Sequence, residues 1–275
     1  SEHEKGRTPN PDVLCNREIK FKSFLDYAFE IGADYIATGH YAKIINKDNR
    51  HYLSRAKDIN KDQTYFLHEV SEKEFSKCLF PLENLTKSEV RNIALKNDLV
   101  TANKKDSVGI CFVGEKNLKD FLSRFIEFKK GDIKDENDNI IGQHQGSILY
   151  TQGQRQGLMI GGVKGKEELP WYVYKKDISK NEIYVCQGGD NKLLMNEGLY
   201  VEDINYINDV EYKYPIKCSV QVRHQHTPVS CTVEKLSNEY KVIFEEPIRA
   251  IAPGQSAVFY DKEICLGGGV ICKTF

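Results

Sequence analysis

The spacing of apolar residues predicts a helical first part of the chain. Apolar side chains between residues 19 and 29 recur at helical spacing, and Gly32 follows where such a helix would end. Residues 35–37 then resemble a short strand, with a polar turn after it. A helix, a short buried strand and a small-residue loop are typical of a doubly wound sheet, which binds ligands where its strands end. Gly39 and His40 are therefore candidate ligand contacts, although Gly39 fits a plain turn equally well.

Two further helices are predicted from their start signals. Thr86 with Glu89, and Ser71 with Glu74, each have the spacing of a capping box ahead of apolar residues. An apolar stripe over residues 118–126 predicts one more helix. The first part of the chain therefore reads as mixed α/β.

Beyond residue 130 the helical periodicity stops and strand patterns take over. Residues 171–185 predict a hairpin, and the later strands are predicted at regular spacing over 218–222, 230–233, 241–244, 256–260 and 269–272. This pattern predicts a small β-barrel or sandwich. We expect an α/β domain over residues 1–116, a central, mainly β domain over 117–190 and a carboxyl-terminal β-barrel over 191–275.

Composition narrows the function classes only slightly. The chain is 40% hydrophobic and 29% charged, as in ordinary globular proteins. No apolar run approaches the roughly 18 residues of a membrane span, and the first residues lack the apolar stretch of a signal peptide. We therefore expect a cytoplasmic protein. The net charge of −1 gives no overall sign of nucleic-acid binding, but it leaves room for a local basic cluster.

Two of the eight cysteines, Cys15 and Cys111, lie in stretches rich in turn-forming residues. Cys15 follows a proline-rich loop near a predicted helix start, where a thiolate is stabilised. Asp12 lies three residues earlier and is either a proton shuttle or a helix cap. Spacing alone also allows both thiols to be structural, and it favours a buried strand position for Cys111. A pair of reactive thiols in one domain would suit sulfur transfer or peroxide chemistry.

The remaining cysteines predict no zinc site, because no two of the eight have the CxxC spacing. Those in strand-like runs are expected to be small buried hydrophobes, namely Cys186, Cys218, Cys231, Cys265 and Cys272. His224 and His226 would share one face of a strand, but no third ligand accompanies them. We therefore predict no bound metal.

Seven long motifs together resemble the tRNA 2-thiouridylase family. They lie over residues 6–15, 32–41, 61–67, 106–114, 142–146, 153–157 and 253–260. The resemblance covers the whole chain in the family's order. It implies an α/β catalytic domain of the adenine-nucleotide-hydrolase type followed by two β domains.

The resemblance also implies a reaction. The wobble uridine of certain tRNAs is adenylated with ATP, and a cysteine persulfide then delivers sulfur to C2 of the base. By motif match Cys111 would carry the persulfide, Cys15 would be the second catalytic cysteine and Asp12 the candidate acid/base. Cys15 would release sulfide from the persulfide or close a disulfide with Cys111. The implied partners are tRNA and a persulfide donor such as a cysteine desulfurase or a sulfur-relay protein.

The same motif matches imply binding residues. Gly39 would contact ATP, and Mg²⁺ would accompany the nucleotide. The implied tRNA contacts are Asn10, Pro11, Asp12, His40, Lys61, Asp62, Gln63, Arg223, His224 and Gln255.

One motif of the family does not occur in this sequence. Family members carry a pyrophosphate loop, Ser-Gly-Gly-Val-Asp-Ser, after their first strand, and no such run is present here. We therefore expect the main ATP site to lie outside these residues. Two rival interpretations stay open at this point, a tRNA-binding protein without catalysis and a thiol redox protein using Cys15 and Cys111.

Overall fold

A computed structural model describes residues 6–104, 118–163 and 165–275 of the chain. The predicted first helix is confirmed, although it is wound more widely than expected. Helix α1 (Pro11–Leu14) continues without a break into a π-helix (Cys15–Ser23) and then into α2 (Phe24–Glu30). Phe21, Leu25 and Ala28 are buried, which explains the apolar spacing. The helix ends as predicted at Gly32, whose φ of 91° lies in the left-handed region.

The other helices of the described residues are short. They are a 3-10 helix (Thr64–Phe66), α3 (Glu72–Phe75), α4 (Lys87–Lys96), α5 (Leu118–Leu122) and two further 3-10 turns (Ser147–Leu149 and Lys192–Leu194). Both predicted capping boxes are confirmed. Glu89 donates its backbone N–H to the Thr86 hydroxyl at 3.3 Å, and the Thr86 N–H donates to the Glu89 carboxylate at 2.6 Å.

The strands of the first region form two separate pairs. Strand β1 (Ile36–Ala37) lies parallel to β4 (Cys78–Leu79), as a doubly wound sheet requires. Strands β2 (Lys43–Lys47) and β3 (Arg50–Ser54) form an antiparallel hairpin. Its turn residues Asp48 and Asn49 have φ values of 51° and 59°, the conformation of a tight two-residue hairpin turn. This hairpin was not predicted.

The middle of the chain forms a four-stranded sheet in the order β6-β5-β8-β7. Its strands are β5 (Gly131–Lys134), β6 (Ile140–His144), β7 (Trp171–Asp177) and β8 (Glu182–Gln187). The predicted hairpin is the β7–β8 pair and is confirmed. Ile133, Val173, Ile183 and Val185 are fully buried in the core of this sheet.

The carboxyl-terminal strands close into a six-stranded barrel, which confirms the predicted barrel. The strands of this region are β9 (Met195–Val201), β10 (Asn205–Tyr206), β11 (Ile216–Gln221), β12 (Val229–Lys235), β13 (Tyr240–Arg249), β14 (Ser256–Asp261) and β15 (Ile264–Thr274). The closing contact is the β14–β15 pair, and β10 lies outside the barrel against β15.

The unpredicted β2–β3 hairpin extends the barrel sheet. Ser54 of β3 pairs with Ile264 of β15, and the Arg55 N–H donates to the Glu263 carbonyl at 2.9 Å. Phe21 and Phe75 of the first region share one hydrophobic core with Tyr260 of the barrel. The first region and the barrel are therefore packed together through a common sheet and core.

The described cysteines follow the predicted burial only in part. Cys186, Cys231 and Cys265 are buried as expected, but Cys218 and Cys272 keep partial exposure. Of the helices in residues 6–104, 118–163 and 165–275, none combines the length and the apolar character needed to traverse a bilayer.

Candidate functional site

The loop before α1 fixes the start of the helix that carries Cys15. Asn10 is the N-cap, and its side chain accepts a hydrogen bond from the Asp12 N–H at 3.2 Å. Pro11 occupies the first turn, where its missing N–H is not needed. Cys15 lies one turn further on, and its own N–H is already bonded to the carbonyls of Pro11 and Asp12. The thiol is partly exposed. The Cys15 thiol therefore lies beyond the free N–H groups at the helix start, which were expected to stabilise its thiolate.

The two residues after Cys15 in the π-helix bind the segment around Phe66. Asn16, only 2% exposed, donates to the Phe66 carbonyl at 3.0 Å. Arg17 forms an ion pair of 2.7 Å with Glu69. The Phe66 ring in turn contacts the His224 ring, with centroids 4.4 Å apart. A short line of contacts thus runs from the helix of Cys15 to His224 in the loop after β11.

Parts of the chain far apart in sequence meet at what we call the junction, formed by Thr8, Thr151, Ala250 and residues 253–255. The Thr8 N–H donates to the Pro253 carbonyl at 2.9 Å, and the Gln255 side chain donates to the Thr8 carbonyl at 2.7 Å. The hydroxyls of Thr8 and Thr151 are 3.1 Å apart. The junction therefore joins the loop before α1, the four-stranded sheet and the barrel.

Arg223 completes this contact between regions. Its guanidinium donates to the Gln152 carbonyl at 3.3 Å and to the Ala250 carbonyl at 3.0 Å, while the residue as a whole stays exposed. Nearby, a Cβ on Gly153 would approach the Ala250 Cβ to 2.5 Å, and Gly153 has a φ of 82°. Glycine therefore suits both this left-handed backbone conformation and the close approach to the Ala250 methyl group. Arg223 thus has a structural role besides any contact with RNA.

Tyr65 links the predicted RNA contacts to the junction. Its hydroxyl donates to the Ser256 carbonyl at 3.0 Å and lies within hydrogen-bond reach of the Asn10 side chain. Burial raises the pKa of Tyr65, so the hydroxyl stays protonated. The Asn10 side chain and the charge of Arg223 both act on the Tyr65 hydroxyl. Gln255 directly precedes Ser256, whose carbonyl accepts the hydrogen bond from Tyr65. Spacing in the sequence gave no indication of this role for Tyr65.

Asp62 and Gln63 organise the backbone around them. The Asp62 carboxylate accepts from the Ala56 N–H at 2.9 Å and from the N–H and hydroxyl of Thr64. Its burial raises the pKa of this carboxyl, although these hydrogen bonds oppose the shift. The Gln63 side chain accepts from the Tyr41 N–H at 3.0 Å. Both side chains are engaged inside the protein, and their role as tRNA contacts stays a prediction.

A cavity of about 500 Å³ opens beside these residues. Its lining includes the polar side chains of Arg55, Lys61, Gln221, His224 and His226. The His224 ring is within 3.2 Å of the Asp62 carbonyl, which holds the two predicted contact segments together. His224 and His226 lie in the loop after β11 and not along a strand, so the expectation of a shared strand face was wrong. The strand ends at Gln221, and Gln225 adopts a φ of 67°.

Gly39 and His40 follow β1 at its carboxyl end, as predicted, but they face different surroundings. A Cβ on Gly39 would meet no atom of the described residues within 4 Å, so packing against that part of the chain does not require this glycine. His40 is 8% exposed, and its ring nitrogens contact the Thr38 hydroxyl at 2.9 Å and the Lys20 amine at 3.4 Å. The pKa of His40 is lowered to about 4, mainly because the ring is buried and to a smaller extent because Lys20 is positively charged. The ring is therefore neutral. Because the Lys20 ammonium can only donate, Nε2 accepts from it, and Nδ1 carries the proton that is donated to the Thr38 hydroxyl.

Some predictions fall on residues outside the described ranges. Cys111 and its whole motif lie there, so its distance from Cys15 stays unmeasured. Among the described residues, no group of three or more histidines, cysteines and carboxylates has the arrangement of a metal site.

Comparison with known proteins assigns this arrangement to a family. Residues 1–115 match the model of a tRNA methyl transferase HUP domain, and residues 119–187 that of a tRNA methyl transferase PRC-barrel domain. Residues 196–271 match an aminomethyltransferase beta-barrel domain. The chain is 51% identical to the tRNA-specific 2-thiouridylase MnmA of Pseudomonas fluorescens strain Pf-5, over 98% of this chain and 72% of that protein. The chain belongs to the tRNA-specific 2-thiouridylase family.

Other 2-thiouridylases show similarity of the same extent. The MnmA of Legionella pneumophila strain Lens is 51% identical over 98% of this chain and 75% of its own length. That of Buchnera aphidicola from Acyrthosiphon pisum is 50% identical over 98% of this chain and 74% of its own length. The predicted fold class, an α/β domain followed by two β domains, is confirmed by the three family models.

Proposed function

We propose that this chain synthesises 2-thiouridine at the wobble position of tRNA. The observation that carries the proposal is identity of about half the residues over nearly the whole chain to proteins named tRNA-specific 2-thiouridylases. The structure adds a physical reason. It gathers Asn10, His224 and Gln255, which motif matching assigns to tRNA contact, around the segment that holds the helix of Cys15. A thiol redox protein would not require these separate motifs to meet there.

The proposed chemistry divides between two cysteines. Cys111 carries the persulfide, and its terminal sulfur attacks C2 of the adenylated uridine while AMP leaves. The Cys15 thiolate then attacks the inner sulfur of Cys111, which frees the transferred sulfur and closes a Cys15–Cys111 disulfide. Asp12, one turn before Cys15, is proposed to move the proton that these steps require. A thiol reductant first opens this disulfide and supplies the two electrons, and a donor of persulfide sulfur, such as a cysteine desulfurase or a sulfur-relay protein, then reloads the free Cys111 thiolate.

The proposed tRNA contacts form a surface around the cavity and the junction. Lys61 and Arg223 supply positive charge for the phosphate backbone. His224 offers a flat ring beside Phe66 on which a base can stack. Asn10, Pro11 and Asp12 lie before the helix of Cys15, which suits contacts with the target base. A base must leave its stack to reach a thiol on a helix, so these groups would hold it in place.

ATP supplies the adenylyl group that turns the uridine oxygen into a leaving group. Gly39 fits a contact with the nucleotide, because it follows the carboxyl end of β1 and a Cβ there would contact none of the residues that the structure describes. We propose that Mg²⁺ accompanies ATP and that its phosphates are held by residues outside this sequence, which contains no pyrophosphate-loop motif. His40 contributes a neutral ring that orients Lys20 and Thr38 near this strand end.

We further propose that the chain divides near residues 116 and 190 into the catalytic domain, the central β domain and the barrel. In support, the four-stranded sheet has its own core, lined by Ile133, Val173 and Ile183. The hairpin β2–β3 belongs to the first of these domains in sequence and to the barrel sheet in space.

The proposal is tested by measuring 2-thiouridine in tRNA from a strain that lacks its own 2-thiouridylase. The chain is expressed alone and together with the amino-terminal segment of one of its relatives, and wobble nucleosides are quantified by mass spectrometry. We expect 2-thiouridine when the chain is expressed together with the added segment, and we expect Cys15→Ser and Cys111→Ser to abolish it. The matched control is Cys272→Ser, a partly buried thiol in the barrel.

Two outcomes would overturn the proposal. If tRNA binds but no 2-thiouridine forms in either expression, the chain is a binding protein without catalysis. If purified protein consumes peroxide through Cys15 and Cys111 without tRNA and makes no 2-thiouridine, it is a thiol redox protein.

A further inference from the structure

Two cysteines of the barrel face each other across neighbouring strands. Cys218 of β11 lies directly opposite Cys231 of β12 in the antiparallel register, and their sulfur atoms are 3.6 Å apart. Both side chains point to the barrel interior, on the same face as the fully buried Val220. Neither thiol is one of the two to which a role in thiolation is assigned.

The backbone geometry already meets the requirements of a disulfide. Residues directly opposite in an antiparallel pair have Cα atoms about 4.5 or 5.5 Å apart, depending on the hydrogen-bonding pattern. A disulfide requires Cα atoms about 4.4–6.8 Å apart. Either pattern fits, so side-chain rotation alone can bring the two sulfur atoms together.

The two thiols differ in access. Cys218 is partly exposed, whereas Cys231 is 2% exposed. The hydrogen bond with Cys218, together with burial, raises the pKa of Cys231. A reagent in solution therefore reacts with Cys218 first. Once Cys218 has reacted, Cys231 loses its hydrogen bond with the Cys218 thiol.

The other described cysteines lack this arrangement. Cys78 and Cys272 donate to the backbone carbonyls of Glu74 and Tyr200. Cys186 and Cys265 are completely buried. Within residues 6–104, 118–163 and 165–275, Cys218 and Cys231 are the one pair of cysteines joined by a sulfur–sulfur contact.

We propose that Cys218 and Cys231 form a second, redox-active dithiol of this protein, oxidised by low-molecular-weight disulfides. The Cys218 thiolate attacks one sulfur of a disulfide such as glutathione disulfide, which forms a mixed disulfide and releases one thiol. Cys231 then gives up its proton to solvent and attacks the Cys218 sulfur, which releases the second thiol. The two protein thiols lose two electrons, and the disulfide gains them.

The bridge would enclose the loop between β11 and β12 in a covalent ring. This loop carries Arg223, His224 and His226, and it lines the cavity beside Asp62. Oxidation therefore restricts the loop and raises the Tm of the chain, because the bridge lowers the entropy of the unfolded state. An effect on tRNA binding would rest on the proposed function, whereas formation of the bridge does not.

The test is peptide mapping of the folded chain after incubation with glutathione disulfide. Remaining thiols are alkylated, the protein is digested, and linked peptides are identified by mass spectrometry. We expect a Cys218–Cys231 cross-link, reversed by dithiothreitol, and a raised Tm of the oxidised wild type. Cys231→Ser should trap glutathione on Cys218, because the second thiol is missing. Cys272→Ser is the matched control and should leave the cross-link unchanged.

Two results would overturn the proposal. One is an oxidised wild type in which Cys218 and Cys231 both remain alkylatable. The other is a Cys231→Ser variant that acquires glutathione on other cysteines and none on Cys218. Because the map resolves each pair separately, a Cys15–Cys111 bridge counts neither for nor against the barrel pair.

Discussion

Gly254→Ala should disrupt the junction more than any single hydrogen-bond deletion there. Gly254 has a φ of 93°, and a Cβ on it would approach the Thr8 nitrogen to 2.6 Å and the Arg7 Cβ to 2.7 Å. The nearest atom belongs to the backbone, so no side-chain rotation can relieve the contact. The loop that leads to Asn10 and Cys15 must therefore move away from the barrel.

The size of the effect follows from two contributions. A non-glycine residue in the left-handed region costs about 1–2 kcal/mol. Displacing Thr8 also breaks its hydrogen bonds with Pro253 and Gln255, at roughly 0.5–1.5 kcal/mol each. We expect the free energy of unfolding to fall by about 2–5 kcal/mol, which lowers the Tm by roughly 4–20 °C.

Thermal unfolding of purified protein and 2-thiouridine formation per molecule of folded protein provide the two measurements. We expect both to fall, because the junction positions the loop before α1. Gly161→Ala is the control, since a Cβ there meets no atom of residues 6–104, 118–163 and 165–275 within 4 Å and the Tm should stay unchanged. A Gly254→Ala protein with the Tm and activity of the wild type would show that the loop does not depend on this contact.

Three further predictions concern single side chains. The pKa of His40 is lowered to about 4, so the stability that its neutral form provides is complete above pH 6.5 and is lost as the pH falls from 6.5 to 4. His40→Gln should reduce the fall in unfolding free energy over this pH range by about 3 kcal/mol, as measured by urea titrations. Arg223→Ala should weaken tRNA binding and reduce the slope of log affinity against log salt concentration by about one counterion. The control Lys192→Ala, at an exposed site, should change neither, and equal salt slopes for wild type and Arg223→Ala would contradict the prediction. Tyr65→Phe should destabilise the fold by about 1 kcal/mol, because the Ser256 carbonyl loses its donor; an unchanged unfolding midpoint in urea would count against that hydrogen bond.

Elements set by neighbouring residues were predictable from the sequence. The Thr86 and Ser71 capping boxes and the β7–β8 hairpin depend on residues a few positions apart, and all three are confirmed. The π-helix was not predictable in its winding, because the apolar spacing over residues 19–29 is compatible with either helix type. The turn Asp48–Asn49 did carry a hairpin signal, which sequence reasoning missed.

Contacts between distant segments could not be read from periodicity. Nothing in the spacing pairs Ser54 with Ile264 or brings Gln255 to Thr8, since both depend on how separate regions pack. The choice of Arg223, His224 and Gln255 came from resemblance to the 2-thiouridylase family and not from the pattern itself. The strand face predicted for His224 and His226 was wrong because β11 ends at Gln221.

The pairing of β3 with β15 has a consequence for how the chain is made. Ser54 is synthesised 210 residues before its partner Ile264. At synthesis rates of about 5–20 residues per second, the outer edge of β3 stays unpaired for roughly 10–40 s. An unpaired strand edge can bind another chain, so neighbouring nascent chains on a polysome can misassemble through β3 during this interval. Slow translation of the barrel would lengthen that interval, and a chaperone that covers β3 would close it.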